Sequence, residues 1–441
     1  MYYKILRDKI NKKTATVAII GLGYVGLPLL VQFYRKGFKC IGLDLNKKKI
    51  KSFTKKKFNN DYFGSILKKK NKHSNRELYQ IKFTSEYSTL SKADCIIICL
   101  PTPITKMKKP DLSKIYVSLK SMGKYLKKGQ LISLESTVAP GTTERVYGKF
   151  LIKKKGFDLS SNFFLAYSPE RENPVIKNLG QRYNFYNTPK VCAGYSRNCT
   201  NLATLLYSRA IKKVVKSYSL KSAEMSKMIE NVYRSVNIGL VNELKMMSHK
   251  MSINIHEILN LAETKPFGFT KFKPGPGIGG HCIPIDPYYL IWEAKKNNFN
   301  SEFLKNAVKT NEKVTNWCLR KIKNIFKKNR LVLKKQKILL LGVAYKSNID
   351  DLRESPALKF FEYFKKNLIN FDYCDPYINY IKKIKKKSIN LNYKLFNKYS
   401  AIVLITDHKI FDKKKILKNS NLIVDTRGYF SKYTNDKIYF V

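Results

Sequence analysis

An α/β chain is expected, in which two doubly wound sheets are joined by a central helical segment that includes one long helix. Three observations point to it. The β-branched run Thr16-Val17-Ala18-Ile19-Ile20 leads straight into the glycine turn Gly21-Leu22-Gly23-Tyr24-Val25-Gly26. Residues from about 219 to 250 hold helical periodicity, interrupted only by Gly239. A second apolar strand ending in glycine, Lys337-Ile338-Leu339-Leu340-Leu341-Gly342, then restarts the alternation of strands and helices.

The glycine turn should open a helix over about 24–36, followed by a strand over 39–44. Further strands are expected at 95–100, 130–135 and 163–167. This βαβ rhythm is Rossmann-like. A short helix follows the long one at 254–262, and residues 264–287 read as a loop rich in Gly and Pro. Helices then run from after Trp292 to about 328. Strands at 371–374, 401–405 and 421–424 complete the second sheet. Boundaries fall near 210 and 330, giving a dinucleotide-binding domain (1–210), a helical domain (211–330) and a second Rossmann-like domain (331–441). No low-complexity linker separates them, so one rigid body around a cleft is expected.

Composition narrows the function classes. The formal charge is +55, from 86 Lys and Arg against 31 Asp and Glu. The lysines are spread as short runs, such as 47–49, 55–57, 68–70, 153–155 and 383–387, rather than gathered on one helix or arm. Asn, Ile, Tyr and Phe are plentiful too and share A/T-rich codons with Lys, so coding bias accounts for the whole set. No specific nucleic-acid partner is expected. No apolar run approaches the roughly 20 residues that span a bilayer, and no secretory leader is visible, so a cytoplasmic protein without membrane insertion is expected. The eight cysteines are scattered, with no C-x-x-C pair and no metal spacing. Cys95 and Cys99 read as small hydrophobes of a buried strand.

The chemistry gathers in a few segments. The glycine turn permits close approach of a pyrophosphate at a helix N-terminus, and Asp44 stands at the end of the next strand to accept from ribose hydroxyls. A carboxylate there repels a 2′-phosphate, so NAD is expected over NADP. Leu100-Pro101-Thr102-Pro103 and Glu135-Ser136-Thr137-Val138 follow two successive strands, where open α/β sheets bind ligands; for Thr102 and Thr137, turn or cap chemistry is the alternative. Tyr167-Ser168-Pro169-Glu170-Arg171-Glu172-Asn173-Pro174 ends another strand with two carboxylates. Lys227 and Asn231 lie four apart on the long helix and share a face. With Glu224 and Glu230 beside them they form either a surface salt-bridge ladder or a pair acting on an oxygen. Cys282 lies in Gly279-Gly280-His281-Cys282-Ile283-Pro284-Ile285-Asp286, a constrained turn suited to holding a thiolate rather than packing in a core. His281 is given a structural role.

Taken in order, these segments resemble the UDP-sugar 6-dehydrogenases of the UDP-glucose/GDP-mannose dehydrogenase family along nearly the whole chain. The matching stretches are GLGYVGLP at 21–28, ESTV at 135–138, Pro169-Glu170, Lys227 with Asn231, GGHCIPID at 279–286, and Ala344-Tyr345-Lys346 through Arg353-Glu354-Ser355. The spelling at 168–174, 264–269 and 274–277 is most similar to UDP-N-acetylglucosamine 6-dehydrogenases of surface-polysaccharide pathways. The glucose branch commonly places an arginine within 265–267, where this chain has Lys265-Pro266-Phe267. Val175 stands where relatives usually carry Gly, and Lys273 where close relatives often carry an aromatic residue.

The resemblance implies a four-electron oxidation of a sugar C6 alcohol to a uronic acid with NAD, by way of a Cys282 thiohemiacetal and thioester. It gives Lys227 and an ordered water the alkoxide, Glu170 or Asp286 the hydrolytic water, and Asn231 and Thr137 the water and sugar oxygens. Gly21, Gly23, Tyr24, Val25, Gly26, Asp44, Thr102, Ser136, Thr137 and Arg353 would meet NAD. Glu170, Lys227, Asn231, Lys273, Gly279 and Lys346 would meet the UDP-sugar. It also implies a homodimer, or a higher homo-oligomer, built on the long helix. Rival readings are a UDP-glucose, UDP-N-acetylmannosamine or GDP-mannose 6-dehydrogenase, a single-step β-hydroxyacid dehydrogenase without a thiol, and a non-catalytic polyanion-binding scaffold.

Overall fold

The computed structural model describes residues 1–55, 81–171 and 186–441, and its packing divides into two compact units. Glu172, Asn173, Pro174, Val175 and the lysine run at 68–70 lie outside the described residues.

The first unit comprises residues 1–230 with the short return 288–293. Among the described residues its sheet has eight strands: β1 (Thr16–Ile20), β2 (Lys39–Leu43), β3 (Lys82–Thr84), β4 (Cys95–Ile98), β5 (Leu131–Leu134), β6 (Phe164–Tyr167), β7 (Lys190–Gly194) and β8 (Val214–Ser217). Their order is β3-β2-β1-β4-β5-β6-β7-β8, and among the described strands of this sheet only the β6–β7 pair is antiparallel. Strand alternation sends Val17, Ile19, Cys95, Ile97 and Leu131 to one face and Ala18, Ile20, Ile96, Ile98, Ile132 and Leu134 to the other. Helices Tyr2–Asn11, Gly26–Arg35 and Arg197–Ser208 cover the first face. Helix Ser113–Gly123 and the helical segment 143–155 cover the second. Both faces are therefore dry, which is why the strands read as unbroken apolar runs.

Helix Tyr2–Asn11 carries no sequence expectation. Only Leu6 and Ile10, one turn apart, are buried in it, too short a signal to separate from its charged neighbours. β4 stops at Ile98 rather than continuing to 100, because the amide of Leu100 turns out to the hydroxyl of Ser136 at 2.9 Å.

The second unit comprises residues 231–287 and 294–441. Its sheet is built from β9 (Lys337–Leu341), β10 (Asn370–Cys374), β13 (Ala401–Leu404), β14 (Ile423–Asp425) and β15 (Ile438–Phe440), all parallel in the order β10-β9-β13-β14-β15. A small antiparallel ribbon, β11 (Tyr380–Ile381) with β12 (Lys386–Lys387), stands apart from it. Ile338 and Leu340 face helices Glu302–Lys328 and Pro356–Lys366, while Leu339 and Leu341 face Phe396, Tyr399 and Ile416. The long helix runs Leu220–Lys250, and the boundary between the units falls within it. Among the described residues no helix is long and apolar enough to cross a membrane.

Candidate active site

The glycine turn of the first unit has no room for a side chain at its outer positions. A Cβ on Gly21, whose φ is +90°, would stand 2.6 Å from the carbonyl oxygen of Cys99. One on Gly26 would stand 2.0 Å from the carbonyl oxygen of Gly21. One on Gly23 would meet nothing within 4 Å. The outer glycines are thus required by the chain's own packing, and the middle one faces open space where a pyrophosphate can lie against backbone. Tyr24 and Val25 complete the turn, both half-buried.

Asp44, just past β2, accepts from the amide of Leu22 at 3.1 Å and from Lys49 Nζ at 3.1 Å on one oxygen. Its other oxygen accepts from the amide of Asn46 at 3.0 Å. The carboxylate is fixed against the turn, with acceptor capacity left on the second oxygen for a ribose hydroxyl. These residues fit NAD.

Thr102 and Ser136 turn out to hold the chain to itself. Thr102 Oγ1 donates to the carbonyl of Thr137 at 2.6 Å, and Tyr289 OH donates to the carbonyl of Thr102 at 2.9 Å. Ser136 Oγ accepts from the amide of Leu100, so the ends of β4 and β5 are tied together by side chains. Turn chemistry, the alternative for Thr102, is what its hydroxyl performs here.

Lys227 is buried, and its ammonium donates to the main-chain carbonyl of Glu170. Glu224, one turn earlier, is also buried. It accepts from the amide of Gly141, and from the amide and hydroxyl of Thr143 at 2.8 and 2.7 Å. Burial pushes its carboxyl up to about 7 against those three donors. The surface salt-bridge ladder is therefore not what this helix face forms. Glu230 pairs with Arg171, whose Nη1 donates to the carbonyl of Pro189 at 3.1 Å.

Beneath Glu170 lies a buried network that the sequence did not reveal. Lys190 Nζ bonds Glu135 at 2.9 Å, and Tyr207 OH donates to the other oxygen of Glu135 at 2.6 Å. The ammonium also lies 5.1 Å from the centre of the Tyr207 ring. Burial raises the Glu135 carboxyl against the pull of Lys190. Burial opposes the Lys190 ammonium as well, yet Glu135 and then Glu170 lift it above the ordinary lysine value.

In the second unit Asn231 Nδ2 donates to Asp286 Oδ2 at 2.5 Å, with both residues buried. Asp286 is not in a loop but opens helix Asp286–Lys296. The carbonyl of Cys282 accepts from the amides of Ile285 and Asp286 at 3.0 and 2.8 Å, turning the chain into that helix. Cys282 itself is exposed, whereas Cys40, Cys95, Cys192, Cys199, Cys318 and Cys374 are buried and Cys99 is half-buried.

The turn before Cys282 is locked. A Cβ on Gly279 would stand 2.8 Å from the carbonyl of Glu354, and one on Gly280 would stand 2.8 Å from the Tyr345 ring. The amide of Gly280 donates to the carbonyl of Arg353 at 2.9 Å. Further back, the long helix pins Gly275 from both sides: Asn242 Oδ1 accepts from its amide and Lys245 Nζ donates to its carbonyl, each at 2.9 Å. Asn242 and Lys245 carry no sequence signal, because nothing separates a buried helical lysine from the many exposed ones. Burial raises the Tyr345 hydroxyl to about 12, with Asp351 and Cys282 adding to it. Lys346 is pushed down by desolvation and then by Arg234, while Arg353 forms a two-pronged pair with Asp351. Lys273 stands exposed on its loop.

The expected residues thus fall into two groups. Gly21, Gly23, Gly26, Asp44, Thr102, Ser136, Thr137, Glu170 and Lys227 belong to the first unit; Asn231, Lys273, Gly279, Cys282, Asp286, Lys346 and Arg353 belong to the second. Among the described residues no group of three His, Cys, Asp or Glu side chains is placed to hold a metal.

Comparison with known proteins agrees with this chemistry. The NAD binding domain of the UDP-glucose/GDP-mannose dehydrogenase family matches residues 15–211, its central domain 221–313 and its UDP binding domain 339–432. The chain is 33% identical to the protein CapL of Staphylococcus aureus, over 93% of this chain and 95% of that one. It is 32% identical to the UDP-N-acetyl-D-glucosamine 6-dehydrogenase of Pseudomonas aeruginosa, over 96% and 99%. The solved UDP-D-ManNAc dehydrogenase of Pyrococcus horikoshii superposes with a TM-score of 0.83 at 28% identity, covering 96% of this chain and 98% of that one. With the glycine turn fitting NAD and all three domains matched, the chain belongs to the UDP-glucose/GDP-mannose dehydrogenase family of NAD-dependent oxidoreductases.

Proposed function

We propose that this enzyme oxidises the C6 alcohol of a UDP-N-acetylhexosamine, UDP-N-acetylglucosamine foremost, to the uronic acid in two stages through Cys282. The observation that carries the reading is an exposed thiol on a glycine-locked turn, feeding directly into the helix whose Asp286 binds Asn231. NAD, when bound at the glycine turn, supplies the acceptor for the hydride lost at each stage.

The chain's own groups divide the remaining work. Lys227 carries a buried positive charge suited to an alkoxide oxygen. The Cys282 sulfur adds to the aldehyde carbon, which keeps the intermediate on the protein as a thiohemiacetal and leaves a thioester after the second oxidation. Water then cleaves the carbon–sulfur bond, with Glu170 or Asp286 taking its proton and the thiol regenerated. Lys346 and Lys273 would hold the diphosphate of the substrate. Three domains with boundaries near 210 and 330, and a homodimer on the long helix, belong to the same reading.

The hexosamine assignment rests on the segment 264–277 and on the name of the Pseudomonas relative. UDP-N-acetylmannosamine is the second reading, favoured by a Pyrococcus horikoshii dehydrogenase of that name at 31% identity. The test is to incubate the purified protein with NAD and UDP-N-acetylglucosamine, UDP-N-acetylmannosamine, UDP-glucose or GDP-mannose, identifying the uronic acid by mass. Preferential turnover of UDP-N-acetylglucosamine is expected; equal turnover of UDP-glucose would overturn the assignment.

A further inference from the structure

The buried ammonium of Lys190 has no part in the chemistry above, yet it is expensive to bury and cannot be there for packing alone. Its place follows from the β6–β7 ladder. Ala166 pairs with Gly194 and Tyr167 with Ala193, so the antiparallel register, carried three residues on, sets Lys190 opposite Glu170. Bonds on either side of that position keep the chains together past the end of the ladder. Ser168 Oγ donates to the carbonyl of Val191 at 2.6 Å, and Arg171 Nη1 donates to the carbonyl of Pro189 at 3.1 Å.

We propose that Lys190 is a positioning residue for the base of the reaction: a buried cation supplying the counter-charge to Glu170 and anchored from behind by Glu135 and Tyr207. The inference rests on the role given to Glu170 above. The groups facing the ammonium come from several elements: Glu135 after β5, Tyr207 on helix Arg197–Ser208, Cys192 on its own strand and Glu170 after β6. Glu135 bonds the ammonium, and the charge of Glu170 acts on it as well. Lys227 is a further cation near Glu170 and reaches its main-chain carbonyl, while Arg171 is committed to Pro189 and Glu230.

The prediction has two opposite signs. Lys190→Met removes the counter-charge, so the acidic limb of the pH–kcat profile should move up by about one unit and kcat at pH values below that limb should fall by about tenfold. Glu135→Gln frees Lys190 from its rival carboxylate, so the same limb should move down. Lys190→Arg should restore most of the activity lost in Lys190→Met. The assay is NADH formation with whichever of UDP-N-acetylglucosamine and UDP-N-acetylmannosamine the unaltered enzyme turns over faster, with NADH binding measured alongside as a check on folding. Should Lys190→Met fail to bind NADH, Lys190→Gln takes its place with the same expected upward shift. A limb that stays put in a variant that binds NADH normally would overturn the proposal. Glu170→Gln separates the two levels: full activity in that variant sinks the role of Glu170 itself, whereas a crippled Glu170→Gln beside an unmoved limb sinks only that of Lys190.

Discussion

Asn231 gives its side-chain amide to Asp286 at 2.5 Å, joining the long helix to the first turn of the helix that follows the thiol. An ionised carboxylate can only accept, so the amide of Asn231 orients Asp286 as an acceptor at the start of that helix. Asp286→Asn presents an amide where that acceptor was needed. Its kcat should fall by about 100-fold or more, with the NAD dissociation constant unchanged within about twofold. Isothermal titration with NAD beside steady-state kinetics checks both halves of this expectation.

The glycine turn makes a prediction that separates folding from binding. Gly26→Ala forces a methyl into the backbone of Gly21 and should destabilise the protein by about 2–3 kcal/mol. Gly23→Ala meets open space, so thermal unfolding should be nearly unchanged while NAD binding weakens by about tenfold. Melting curves with and without NAD distinguish the two.

Asp44 is expected to set the choice of cofactor. Asp44→Asn keeps an acceptor for the amide of Leu22 but removes the negative charge that repels a 2′-phosphate. The ratio of kcat/KM for NADP to that for NAD should rise by at least about tenfold, measured with the two cofactors in parallel.

Glu224 predicts a pH dependence of stability. Its folded-state carboxyl is raised to about 7 from an ordinary 4.5, so the protonated form is favoured on folding. The stability it contributes is complete below about 4.5 and is lost as pH rises through about 7. Thermal melts of the unaltered protein and Glu224→Gln should diverge across that window by on the order of 3 kcal/mol in favour of the variant at higher pH.

Much of this was legible in the chain because it is written locally. The strand before Gly21, the acid after β2 and the glycines around Cys282 are short-range patterns with direct physical meaning. What escaped the reading is non-local. Lys190 looks like any of the chain's abundant lysines until β7 runs antiparallel to β6 and its ammonium meets Glu135. Lys245 and Asn242 sit in an amphipathic helix and acquire meaning only where the Pro274–Gly280 loop folds back on them. Ser136 and Thr102 show the converse: both stand just past strand ends, as their spacing predicts, and the backbone bonds of their hydroxyls appear only in the fold.

The central claim is that Cys282 carries the carbon through both oxidations. The most direct measurement is the amount of NADH formed per UDP-N-acetylhexosamine consumed, with the product identified by mass. Two NADH per uronic acid, with no free aldehyde, is the predicted result. One NADH per sugar with an accumulating aldehyde, or an unchanged two in Cys282→Ala, would contradict it.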